Sequence, residues 1–167
     1  EAEQTQFAAV AFTCPGLFTY LAFRGTDRTW VGWKEDFNMA YAAPVPAQES
    51  ARCYVDQVAE CVSTPLVLGG HSKGGNLAVY AAAKAPPRTA VRIAAVYDHD
   101  GPGFPEGVLA EGELDRVRPL VRKTVPQESL VGLLMESDAG YRVVKSSGRG
   151  ISQHSPFRWE VEDGAVV

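Results

Sequence analysis

No apolar run in the 167 residues approaches the roughly 20 that a membrane-spanning helix requires. Glu1 to Gln6 is not the basic n-region of a secretory signal. Cysteine is scarce, and Cys14, Cys53 and Cys61 show none of the paired short spacings of zinc sites, so no metal centre is expected. On a continuous helix Cys53 and Cys61 would stand about 12 Å apart, beyond disulfide reach. An odd count of thiols with no obvious bridge favours a reducing compartment, and a cytoplasmic location is the expectation. Excess positive charge is also missing: 16 Lys and Arg stand against 20 Asp and Glu, for a net charge of −4. Such a balance gives no basic field for nucleic acid. The densest basic stretch, Arg116, Arg118, Arg122 and Lys123, alternates with apolar Val117, Leu120 and Val121 and reads as a solvated face. Internal repeats, low-complexity tracts and Gly/Ser linkers are absent too, which argues against solenoids and against a divided chain.

What is present describes a globular protein: hydrophobic residues make up 46% of the chain and charged residues 22%. One domain over residues 1–167 is the expectation. Phe7 to Phe12 and Phe18 to Phe23 are β-prone runs separated by Thr13, Cys14, Pro15 and Gly16, and predict a hairpin or adjacent strands. Between Gln48 and Val62, apolar Ala51, Tyr54, Val55, Val58 and Val62 recur at spacings of three and four, which predicts one stripe of a helix. Leu66 to Leu68 reads as a buried strand. Gly74 to Ala85 reads as a helix ending at Pro86-Pro87. Val91 to Tyr97, Val121 to Val125, Tyr141 to Val144 and Phe157 to Val161 are strand-like, with a helical stretch around Glu111 to Arg118. Strands alternating with helices predict an α/β fold, a mostly parallel sheet covered on both faces.

The chemistry concentrates in Gly70-His71-Ser72-Lys73-Gly74, a G-x-S-x-G run between a predicted strand and a predicted helix. This is the pattern of a nucleophile elbow: serine on a strained turn, with glycines where strand and helix approach too closely for a Cβ. A serine hydroxyl needs a base. Of three histidines, His71 adjoins the serine and His99 comes too early for the order Ser, acid, His, whereas His154 falls between late predicted strands, where the base belongs. The orienting carboxylate must lie between Ser72 and His154 and at the carboxyl end of the sheet. Asp98, Asp100 and Glu128 qualify, and Asp138 sits before a strand. Asp100, in an Asp-Gly-Pro-Gly turn, is preferred over Glu128, with a purely structural turn cap as its other reading. An oxyanion hole needs two amides, one after the nucleophile and one from an earlier loop, which nominates Lys73 and Thr26.

FRGTD at Phe23 to Asp27 together with GHSKGGNLA at Gly70 to Ala78 resembles the paired motifs of class 3 (fungal-type) lipases. FRGTDRTWVGWKEDFNM, GHSKGGNLAVYAA, DGPGF, VPQESLVGLL and VVKSSGRGISQHSPFRWEV resemble, more closely, a bacterial family related to those lipases and known as Mbeg1-like. The resemblance implies an α/β-hydrolase fold, compact or truncated, with nucleophile, base and oxyanion donors on Ser72, His154, Thr26 and Lys73. One departure stands out. Where fungal-type lipases carry the aspartate of a D-x-V-P motif, this chain reads Gln127-Glu128-Ser129-Leu130-Val131-Gly132.

The leading expectation is hydrolysis of a small-molecule or lipid acyl ester through an acyl-enzyme, with no cofactor. A thioesterase or acyltransferase would use the same residues, and a catalytically silent hydrolase fold serving as a scaffold is the alternative of another class. Trp30, Trp33, Phe37, Met39 and Tyr41 are either core or the lining or lid of an acyl pocket. Oligomeric state is not encoded in any motif.

Overall fold

The structure, a computed structural model, describes residues 7–26, 44–135 and 140–167. It opens on the expected hairpin, β1 (Ala9–Cys14) and β2 (Phe18–Phe23), closed by the Leu17 amide donating to the Cys14 carbonyl at 3.1 Å. Thr13 and Cys14, expected in the turn, extend β1 instead, because Thr13 pairs with Thr19 and their hydroxyls meet at 3.1 Å.

Helix α1 (Pro46–Cys61) begins with a proline in its first turn, where a missing amide hydrogen costs nothing. The Gln48 side chain accepts the Val45 amide hydrogen at 3.0 Å and closes that end. Ala51 and Val55 of the predicted stripe are fully buried, with Tyr54, Val58 and Val62 at its margin. Then come β3 (Leu66–His71), α2 (Lys73–Ala83), the single turn α3 (Pro87–Ala90), β4 (Ile93–His99), α4 (Glu111–Val117), β5 (Val121–Pro126) and β6 (Tyr141–Val144).

Spatial order follows chain order across the six strands, antiparallel for β1 and β2 and parallel from β2 to β6. Crossovers between parallel neighbours are right-handed as a rule, and a chain that always crosses in one direction keeps its helices on one face. α1 and α4 both pack on α2 there, over Leu21, Phe23, Leu66, Leu68, Ile93 and Val96. Burying each of those leucines contributes about 1.5–3 kcal/mol. Tyr20 and Tyr97 project from the other face beside Gly69, and Tyr97 remains 39% exposed. Among the described residues this face carries no α-helix, and its cover comes from the 3-10 segment at the carboxyl end, where His154 and Trp159 meet the rings of His71 and His99. A strand order without a reversal gives the crossovers no cause to change sides.

Two further expectations change. The run from Phe157 to Val161 is not one strand: Pro156–Arg158 forms a 3-10 turn, and Trp159 makes an isolated bridge to Ser146. Val161–Glu162 (β7) forms a separate strand, pairing with Ala165–Val166 (β8) across Asp163 and Gly164, both at positive φ. An Asp-Gly pair of that conformation builds a two-residue hairpin, and Pro156 lacks the amide a strand would need. The basic stretch is not a uniform solvated face either. Arg116 donates to the Ala83 and Ala85 carbonyls at the end of α2, and Lys123 is 4% exposed. No described helix is long and apolar enough to cross a membrane, and Cys14, Cys53 and Cys61 are free thiols.

Candidate active site

Ser72 joins β3 to α2 with φ 57° and ψ −129°, a backbone region that costs a non-glycine residue about 1–3 kcal/mol. Its surroundings hold it there. The Ser72 amide donates to the His99 carbonyl at 2.9 Å, and the Ser72 carbonyl accepts from Gly75 at 2.9 Å. A Cβ on Gly70 would lie 2.6 Å from the Gly74 carbonyl oxygen and 2.7 Å from that of Phe23, so strand and helix meet at a distance only glycine permits. Gly25 closes on the same turn: its Cβ would be 2.7 Å from the His71 carbonyl oxygen and 3.6 Å from Ser72 Cβ. The loop carrying Thr26 is thereby set beside the serine, and Lys73 opens α2.

The structure brings Asp100 and His154 together. His154, ending a 3-10 turn at Gly150–His154, donates from Nδ1 to Asp100 Oδ2 at 2.7 Å. Asp100 is fully buried, and its Oδ1 accepts from the Ser129 hydroxyl and, at 3.1 Å, from the Gly132 amide. Such contacts fix the carboxylate in one orientation, and the carboxylate fixes the imidazole tautomer with Nδ1 protonated. Among the described residues no hydrogen bond joins the Ser72 hydroxyl to that ring. Asp100 itself has φ 55°, a conformation aspartate tolerates better than most residues.

Asp98 explains how that turn is held. Its carboxylate accepts from Lys123 Nζ at 3.1 Å and from the Gly101 amide at 2.9 Å, while Lys123 also donates to the Gly101 carbonyl at 2.9 Å. Both polar groups of the residue after Asp100 are thus secured by a buried ion pair. Asn76, also buried, donates to the Pro102 and Gly103 carbonyls, each at 3.0 Å, and accepts from Gln48 at 2.9 Å. These contacts bind the Asp-Gly-Pro-Gly turn to α2.

Glu128 meets the backbone and not the imidazole of the same 3-10 turn. It accepts from the Gly150 amide at 2.8 Å and from Gln153 Nε2 at 2.7 Å, and its own amide donates to Gln153 Oε1 at 3.2 Å. His71 lies against His154, ring centroids 4.5 Å apart, and its Nε2 donates to the His154 carbonyl at 2.6 Å. Burial, and then the neighbouring His154, hold the His71 ring down to about 4. Burial also lowers His99, whose ring lies between Tyr97 and Trp159.

Ser129, Gln153, Asn76 and Trp159 escaped the sequence reading. Ser129 reaches Asp100 because β4 and β5 run in register, His99 opposite Thr124, so the residues after them converge. Register is a tertiary property that no local motif carries. Trp30, Trp33, Phe37, Met39, Tyr41 and Asp138 lie outside the described residues.

Comparison with solved structures bears on the fold. A fungal lipase in complex with an inhibitor, the basis of a model for interfacial activation in lipases, is 18% identical with a TM-score of 0.55. That alignment covers 84% of this chain and 60% of the lipase. M37 lipase is 14% identical with a TM-score of 0.50, covering 75% of this chain and 55% of its own. The chain therefore spans less than two thirds of either lipase, and the likeness establishes a compact α/β-hydrolase fold. No curated protein matches the chain. The Mbeg1-like family model matches residues 1–167 of this chain, and the chain belongs to the Mbeg1-like family.

Proposed function

We propose that this protein is a serine hydrolase that cleaves a small-molecule or lipid acyl ester, with Ser72 as nucleophile, His154 as general base and Asp100 as the orienting acid. The observation that carries the reading is the 2.7 Å contact between His154 Nδ1 and the buried Asp100 carboxylate. A histidine so engaged keeps its other nitrogen, Nε2, as the acceptor for a serine proton. The strained backbone of Ser72 supports the same reading.

In this mechanism the Ser72 oxygen attacks the ester carbonyl as its proton passes to His154 Nε2. The imidazolium is stabilised by Asp100, and the amides of Lys73 and Thr26 stabilise the oxyanion. Collapse of the tetrahedral intermediate breaks the bond to the alcohol, which leaves with the proton from His154. Water, deprotonated by the same ring, then releases the acid and restores Ser72. The two carboxylates weighed in the sequence take different parts: Asp100 touches the base, and Glu128 braces the turn that carries it.

A fluorophosphonate probe tests this assignment. The expected result is a single adduct, mapped by mass to Ser72 and abolished by Ser72→Ala in a protein with an unchanged circular dichroism spectrum. Undiminished labelling of that variant would move the nucleophile elsewhere, and no labelling of the native chain would favour a silent scaffold.

A further inference from the structure

The second residue of the elbow motif has no part in the chemistry above, yet it touches the residue that carries the base. His71 precedes Ser72 and ends β3, and its Nε2 lies 2.6 Å from the carbonyl oxygen of His154. A carbonyl only accepts, so the His71 ring must carry its proton on Nε2. The low affinity of this half-buried ring for a second proton keeps it neutral across the neutral pH range. Its ring also packs on the imidazole of His154 and edge-on against Trp159, at 4.5 and 6.1 Å between centroids.

The contact falls where a short turn is least able to hold itself. The last carbonyls of a helix or 3-10 turn have no partner within it and need outside donors. Here Trp159 Nε1 donates to the Gln153 carbonyl at 2.8 Å, and His71 serves the next one, on His154 itself. Asp100 fixes the ring of His154, while His71 fixes its backbone. Because His71 is covalently joined to Ser72, the second bond ties the base directly to the nucleophile turn.

We propose that His71 is a positioning residue which sets the separation between Ser72 and the His154 imidazole by holding the His154 carbonyl. This rests on the assignment of Ser72 and His154 above. Rates depend steeply on such spacing, since attack requires the reacting groups to be aligned within a fraction of an ångström. Binding of substrate does not depend on it, so the effect belongs in kcat.

The test compares His71→Phe, which keeps a ring and loses the donor, with His71→Gln, which restores a donor. For each, the rate of fluorophosphonate attachment to Ser72 and the steady-state constants on a p-nitrophenyl ester are measured in the full chain. His71→Phe is expected to lower both the attachment rate and kcat about tenfold or more, the scale of one lost hydrogen bond at the transition state, with KM within about twofold. His71→Gln should recover a substantial part of kcat. Nitrogen-15 spectra of the native protein provide a reading independent of variant folding, and should show His71 protonated on Nε2 only. Native rates for His71→Phe, or a ring protonated on Nδ1, would overturn the proposal while leaving the hydrolase assignment intact. If the native chain fails to label at Ser72, the hydrolase assignment falls and the proposal with it.

Discussion

Asp100 has two carboxylate oxygens with separate duties. Oδ1 is satisfied by Ser129 and Gly132, and Oδ2 faces His154. Replacing it by asparagine preserves shape but lets an amide hydrogen face the ring and favours the wrong tautomer. Asp100→Asn is expected to lower kcat on a p-nitrophenyl ester about 10³–10⁴-fold with little change in KM, as steady-state kinetics would show. Ser129→Ala leaves the Gly132 amide in place and should cost far less, about tenfold. Much of this was legible in the residues: Gly70 to Gly74 marks the elbow, and chain order singles out His154. The Asp-Gly-Pro-Gly turn favoured Asp100 over Glu128 without deciding between them, because each follows a strand that ends at the same edge of the sheet. Only the parallel register of β4 on β5 decides which of the two meets the ring.

At the scale of elements, the 3-10 turn Gly150–His154 depends on contacts from outside itself. Glu128 spans it from outside, accepting from the Gly150 amide at its start and from the Gln153 side chain near its end. Glu128→Ala should therefore speed hydrogen exchange at the Gly150 amide and lower stability by roughly 1 kcal/mol, a shift of about 2–4 °C in Tm at this chain length. An unchanged exchange rate would mean that the turn holds without it. The helices α1 and α2 were readable from their segments alone, α1 by an apolar stripe of period 3.6 and α2, buried on every side, by its alanines and leucine and the Pro86-Pro87 stop. The Phe157 to Val161 run misled for the opposite reason. β-prone residues do not specify a partner, and here Pro156 and the Asp163-Gly164 turn divide them between a 3-10 turn and a separate hairpin. Lys123 was misread likewise, since its place among exposed arginines gave no sign of the buried Asp98 waiting for it.

For the molecule as a whole, the half-buried His71 and His99 contribute to how stability responds to acid. His71 is held down to about 4 and His99 is lowered as well, both chiefly by burial, whereas an unfolded chain would protonate them near about 6.5. Below that value the unfolded state binds more protons than the folded one, so acidification favours unfolding. These rings make stability fall as the pH drops from about 6.5 to about 4.5, a window above the ordinary carboxylate values near 4. Urea unfolding across that window would show the decline, and His71→Gln should flatten it. A profile that is flat from pH 6.5 to 4.5 would contradict the burial of these rings. The α/β class itself was plain in the alternation of elements. The one-sided placement of the described helices was not, because it follows from strand order and no single segment records that.

The serine-hydrolase assignment stands or falls on a covalent bond to Ser72. The direct measurement is to mix the protein with a p-nitrophenyl ester, quench in acid within the first turnovers and locate the acyl group by peptide mass. The prediction is one acyl group, on the peptide containing Ser72, absent in Ser72→Ala and formed at least about a thousandfold more slowly in His154→Ala. An acyl group on another residue, or equal rates in His154→Ala and the native protein, would contradict it.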